Sequence, residues 1–242
     1  MATAYNRVTD HAAWGRWHKV LRSLPGLSPL VSVHERVLRE AQALAGSGRL
    51  EQGLALFKPF EENGQIPPWL YFGRLKEIYA AAGLWAKVAA MAERAARLAP
   101  DNPAVLIDAA DACLRIGGDM AHARDLLDRA KTRPLTPISA TYVSHAEGLL
   151  ALQQSDPETA KDCFESALAA ANELFVGKPM GRFKIDLIHA DLAVAYARLG
   201  DKNQALEHFR RGERRLRARP WFDVLKQCKN ALDNDLSSTQ QE

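Results

Sequence analysis

Seven histidines, at positions 11, 18, 34, 122, 145, 189 and 208, and three cysteines, Cys113, Cys163 and Cys228, are the side chains of this sequence best equipped for chemistry. A zinc or related metal site needs such ligands at short, repeated spacing. No His-x-x-x-His and no Cys-x-x-Cys occurs, and no histidine stands at ligand spacing to a cysteine. Ser144 and His145 are adjacent, yet no acid can be placed beside them from sequence to complete a nucleophile, base and orienting group. Gly117-Gly118 is not part of a glycine-rich phosphate loop and reads as a helix stop. These absences predict a protein that is not an enzyme and holds no metal and no cofactor.

Three widely spaced cysteines make no disulfide framework, which predicts a reducing compartment. No apolar run approaches the ~18 residues of a membrane span. The first residues, Met-Ala-Thr-Ala-Tyr-Asn-Arg, lack the apolar segment of a secretory signal. The expectation is a cytoplasmic protein, or the soluble part of a larger or anchored one. The net charge of +3 is too small to imply nucleic acid. The charge is uneven, however: residues 201–220 carry Lys202, Arg210, Arg211, Arg214, Arg215, Arg217 and Arg219 against Asp201, Glu207 and Glu213.

Alanine and leucine dominate and aromatics are only 7%, a composition that favours helices over strands. Small, large, aromatic and glycine positions recur in step. Leu192, Tyr196, Gly200, Ala205, Phe209 and Gly212 are matched by Leu75, Tyr79, Gly83, Val88, Ala92 and Ala95, which close on Pro100. The small residue early in each second helix, at Gly53, Val88, Ala123, Ala160 and Ala205, recurs at intervals of 35, 35, 37 and 45 residues. Small residues let two helices of a pair approach closely, and larger ones fill the space that remains. Stops and starts fall between them. Gly200-Asp201-x-x-Gln204 offers a terminating glycine, then an N-cap acid with glutamine three residues on. Asp156-Pro157 offers a cap followed by proline at the first helical position, and Asn102-Pro103 repeats the device.

This pattern resembles the tetratricopeptide repeat family, whose unit of about 34 residues reads Trp-x-x-Leu-Gly-x-x-Tyr, then Ala-x-x-x-Phe, then Ala and Pro. The resemblance covers about residues 34–219, in about five repeat-like helix pairs. It departs from the family where Phe60 replaces a small residue and where Asp111 takes the usual glycine position. It implies an all-α fold, a right-handed α-solenoid of stacked antiparallel helix pairs. Residues 1–33 then form an N-terminal helix and linker, 34–219 the array, 220–236 a C-terminal capping helix and 237–242 a disordered tail. A cap is needed because the last repeat otherwise exposes its stacking face.

The resemblance also places first helices on a concave face, and the exposed positions there are the candidate partner-binding residues. They are Glu77, Asp108 and Arg115 in the middle of the array, Tyr142, His145 and Leu149 after it, and Val194 and Arg198 near the end. The Lys, Asn and Arg clamp with which chaperone-binding relatives grip a terminal carboxylate is missing, because Gly73 and Glu77, or Leu38 and Gln42, stand in its place. A related RNA-reading family needs small polar residues at positions held here by Leu38, Gly73, Asp108, His145 and Ala190. The long 45-residue interval contains residues 172–184, expected as an inserted loop in which Phe175, Met180 and Phe183 offer apolar anchors beside Lys178, Arg182 and Lys184. The leading expectation is a scaffold or adaptor that binds a protein or peptide in the solenoid groove. The alternative is a module for nucleic acid or an anionic surface, using the arginine-rich helix 210–219.

Overall fold

The computed structural model describes residues 2–13, 15–27, 31–175 and 179–216, and then 226–227, 229–230 and 233–234. Of residues 2, 3, 13, 179–183 and 214–216 it describes the backbone. The described residues are all-helical, with no strand among them. Two helices open the chain, α1 (Ala2–Ala13) and α2 (Trp17–Ser23), followed by a 3₁₀ turn. Then come α3 (Val33–Gly46) and α4 (Leu50–Phe57), with the short α5 (Pro59–Glu62). The pairs α6 (Pro68–Ala81) and α7 (Trp85–Leu98), and α8 (Pro103–Arg115) and α9 (Met120–Lys131), follow. The array continues with α10 (Pro137–Gln153) and α11 (Pro157–Leu174), then α12 (Pro179–Arg198) and α13 (Lys202–Leu216). Each helix packs most closely on its pair mate, and successive pairs stack.

The spacing of apolar residues explains each pairing. In α11, Ala160, Phe164, Ala167 and Ala171 recur at four, three and four residues, one stripe on a helix, and all four are fully buried. Gly148 on α10 receives the ring of Phe164, and Gly53 on α4 lies against the Ala41 carbonyl of α3. Gly53 and Gly148 are therefore points of close approach between paired helices. Local chemistry sets the ends. The Asp201 carboxylate accepts from the Gln204 amide at 3.0 Å behind Gly200, whose φ is +77°. Asp156 accepts from Thr159, and Asn102 from Ala104, each with proline next in sequence. Pro59 opens the one-turn α5, so the first pair ends in an aromatic stack of Phe57, Phe60 and Tyr71 rather than a regular second helix.

Two expectations are corrected. Residues 172–174 and 179–184, expected within an inserted loop, are helical, and residues 176–178 of that stretch lie outside the described residues. Asn172–Leu174 extend α11, and Pro179 opens α12 at the position where a missing N–H costs nothing, so the extra length is mostly helix. The N-terminal region is two helices rather than one helix and a linker, and α1 packs on α2, on α3 and, across the array, on α12. Of the expected capping helix 220–236, the six described residues are helical; its remainder and the tail 237–242 lie outside the described residues.

Candidate partner-binding groove

The first helices α3, α6, α8, α10 and α12 carry a ladder of charged side chains along their shared face. At the first step Glu35 and Glu77 alternate with arginines. Arg39 pairs with Glu35 at 2.6 Å and reaches Glu77 at 3.8 Å; Arg74 bonds Glu77 at 2.6 Å and meets Glu35 at 3.5 Å. Gln42 donates to Glu77 at 2.9 Å. Burial alone would raise the Glu35 carboxyl, but Arg39, Tyr5 and Arg74 outweigh it and hold the group below its ordinary range.

The next steps cross gaps. α6 and α8 touch only weakly. A cavity of about 240 Å³ opens between them beside Gly73, and the ion pair of Lys76 with Asp108 spans it. α12 likewise leans away from α10. Here the bridge is a buried cluster: Arg115 pairs with Asp111 at 2.9 Å and Asp191 at 3.3 Å, and His145 Nε2 lies 2.7 Å from Asp191. Lys184 Nζ stands 2.9 Å from His145 Nδ1 and 4.5 Å from the centre of the Tyr142 ring. A ring proton on Nε2 lets His145 donate to Asp191 and accept from Lys184 at Nδ1, which also lies 3.5 Å from Asp111 Oδ1. Burial works against ionised Asp111 and Asp191, yet Arg115 and its neighbours overcome it and hold both carboxyls low, Asp111 well below its usual range. For Lys184 burial wins over Asp111, and the amine falls below its ordinary value.

The structure thus brings Glu77, Asp108, Arg115, Tyr142, His145, Leu149, Val194 and Arg198 onto one side of the array, but with different accessibility. His145 is 0% exposed. It meets no partner directly and serves the cluster that joins α10 to α12. Arg115 is also enclosed, with a side chain 7% exposed. At the C-terminal ends of α8, α10 and α12 lies a cavity of about 420 Å³ lined by Arg115, Leu149, Val194 and Arg198, with Leu114, Ile116, Leu152 and, from the chain's end, Lys226, Gln227 and Asn230. Arg198 is exposed and donates to the Leu152 carbonyl at 2.5 Å; among the described residues no carboxylate pairs with it. A larger depression of about 860 Å³, between α7 and the approach to α6, lies against none of the predicted residues.

Other candidates fall elsewhere. Phe175 is half-buried against the main core, so it packs rather than presents. Met180 and Phe183 are in α12, and their side chains lie outside the described residues. In the arginine-rich helix, Arg210 and Arg211 are exposed, and Arg211 pairs with Glu207; the side chains from Arg214 onward lie outside the described residues. Among the described residues no three His, Cys, Asp or Glu side chains are placed to hold a metal, and no helix is long and apolar enough to cross a membrane. Sequence reasoning missed Glu35, Arg39, Arg74, Lys76 and Asp191, and it placed Lys184 in a loop rather than beside His145. One signal was present: Asp111, where the repeat expects glycine, is the acid that Arg115 needs.

No family model matches this chain, and no curated protein does. Two solved structures are similar in fold. The crystal structure of BtubC (BKLC) from P. vanneervenii aligns over 90% of this chain and 89% of its own, at 17% identity and a TM-score of 0.56. The apo form of RapI aligns over 99% of this chain and 72% of its own, at 10% identity and a TM-score of 0.52. At such identities the likeness speaks for the fold alone: this chain is an all-helical repeat solenoid built from stacked helix pairs.

Proposed function

We propose that this protein is a non-catalytic, tetratricopeptide-like scaffold that captures a protein or peptide segment on the inner face of its array. The observation that carries the reading is the cavity at the ends of α8, α10 and α12. It joins apolar walls, Leu149, Leu152 and Val194, to Arg198, which faces solvent with no carboxylate partner among the described residues. Recognition sites typically combine an apolar pocket with a few placed polar groups. The rest of the ladder is already paired within the chain, so it stiffens the groove and leaves this end for the partner. A cytoplasmic setting suits the reading, since Cys113 and Cys163 are free thiols.

The test is site-specific photo-crosslinking in the native organism. A photoreactive residue at Val194, inside the cavity, is compared with one at Leu206, 38% exposed on α13. A groove scaffold gives discrete protein adducts from position 194 that vanish with Arg198→Glu. Equal adducts from both positions, or adducts indifferent to Arg198→Glu, defeat the proposal.

A further inference from the structure

The chain carries a second concavity that the inner groove does not use. It is the depression of about 860 Å³ between α7 and the approach to α6, inside the range of roughly 300–1,000 Å³ common to small-molecule sites. Local sequence leaves it open. The one-turn α5 stops at Glu62, so residues 63–67 reach α6 as a loop rather than as helix. Gly64 turns that loop with a φ of +60°, and Pro67 and Pro68 fix its entry into α6.

The lining is apolar, and its charge is sorted. Ile66, Tyr71 and Phe72 line it with little exposure of their own, and Leu98 of α7 lines it while 48% exposed. Arg94, Arg97 and Leu98 stand at i, i+3 and i+4, on one face of α7. The Arg94 guanidinium lies over the Phe72 ring, 4.0 Å from its centre. Stacking uses the flat face of a guanidinium and leaves the N–H groups on its edge for a carboxylate. Among the described residues no carboxylate pairs with Arg94, whereas Glu93 holds Arg97 at 3.1 Å. The acid in the lining, Glu61, accepts from the Tyr71 hydroxyl. Its charge turns an anion away from the α5 side and towards Arg94.

We propose that this depression binds a small apolar monocarboxylate, an aromatic or branched acid. Its hydrocarbon body lies against Tyr71, Phe72 and Leu98, and its carboxylate takes the open edge of Arg94. The ligand class follows from the two halves of the site. A neutral apolar molecule leaves the guanidinium without a counter-charge, and a dianion or a nucleotide phosphate meets the Glu61 carboxylate as well as Arg94. The site lies apart from the inner groove and stands independently of the partner-capture reading.

The test titrates the full chain by calorimetry with naphthylacetate and with naphthylacetamide, the same body without the charge. The acid is expected to bind at a single site, and the amide at least ten-fold more weakly. Arg94→Met keeps an aliphatic stem over Phe72 and removes the donors. It should weaken the acid at least ten-fold and leave the amide unchanged. Ala90→Phe, at an exposed position in the lining, fills the depression and should abolish binding of both. Arg94 is exposed too, and melting curves check that each variant stays folded. No saturable binding of the acid at millimolar concentration overturns the proposal. So does equal binding of acid and amide, or an acid affinity indifferent to Arg94→Met. Loss of binding in Arg198→Glu but not in Arg94→Met also overturns it, because the acid then sits in the groove cavity. Neither result bears on the Val194 adducts, so failure here leaves the groove reading standing, and failure there leaves this one.

Discussion

The α-carbon of Gly148 lies so close to the ring of Phe164 that a β-carbon there would stand 2.4 Å from Phe164 Cε1. This contact sets the distance between α10 and α11. Phe164 is fully buried and cannot swing aside. Gly148→Ala is expected to cost about 1–3 kcal/mol by overpacking, despite the better helix propensity of alanine. Gly73 is the control, because nothing lies within 4 Å of its β-position. Gly73→Ala should stabilise by up to about 1 kcal/mol. Urea denaturation of the two variants reads the opposite signs.

Ala95 and Ala205 mark the same kind of contact in other pairs and are 2% and 0% exposed. Replacing either with leucine should cost about 1–3 kcal/mol through overpacking. A wild-type denaturation midpoint for both would show that these positions are not close contacts.

Removing Arg115 leaves the buried Asp191 and the half-buried Asp111 without their main counter-charge. Arg115→Met is expected to lose about 3–5 kcal/mol, the usual result of breaking a buried pair from one side. Adding Asp191→Asn should return part of that loss, since an amide needs no counter-ion. The double variant is compared with each single one by chemical denaturation. Simple additivity of the two losses would show that Arg115 and Asp191 act independently.

His189 and His208 face each other across α12 and α13 with their Nδ1 atoms 2.9 Å apart. Burial, His208 and Arg211 push the His189 imidazole down from its ordinary 6.5 to about 4, and burial and Arg211 also lower His208. The folded chain then binds fewer protons than the unfolded chain between these values. Stability is full above about pH 6.5 and falls as pH drops towards 4. The melting temperature should decline through that window, and His189→Gln should flatten the decline. A profile unchanged by the substitution would remove His189 as its source.

The repeat and its punctuation were legible in the sequence because they are local. Helical periodicity relates residues three and four apart, and caps such as Asp156 with Thr159 or Asp201 with Gln204 relate residues three apart. Ala160 and Phe164 could therefore be read as one buried stripe, and Ala123, Ala160 and Ala205 as contact points between paired helices. The groove residues were named from position within the repeat, which placed them on one face but assigned no partners. Tertiary structure decided those. Arg115 meets Asp191 across 76 residues, and His145 meets Asp191 across 46, separations to which no sequence period corresponds. It also decided that residues 172–174 and 179–184 continue helices rather than form a loop, and that α1 crosses to α12. The contact of α1 with α12 joins helices far apart in sequence, so it forms only once the pairs between them have stacked.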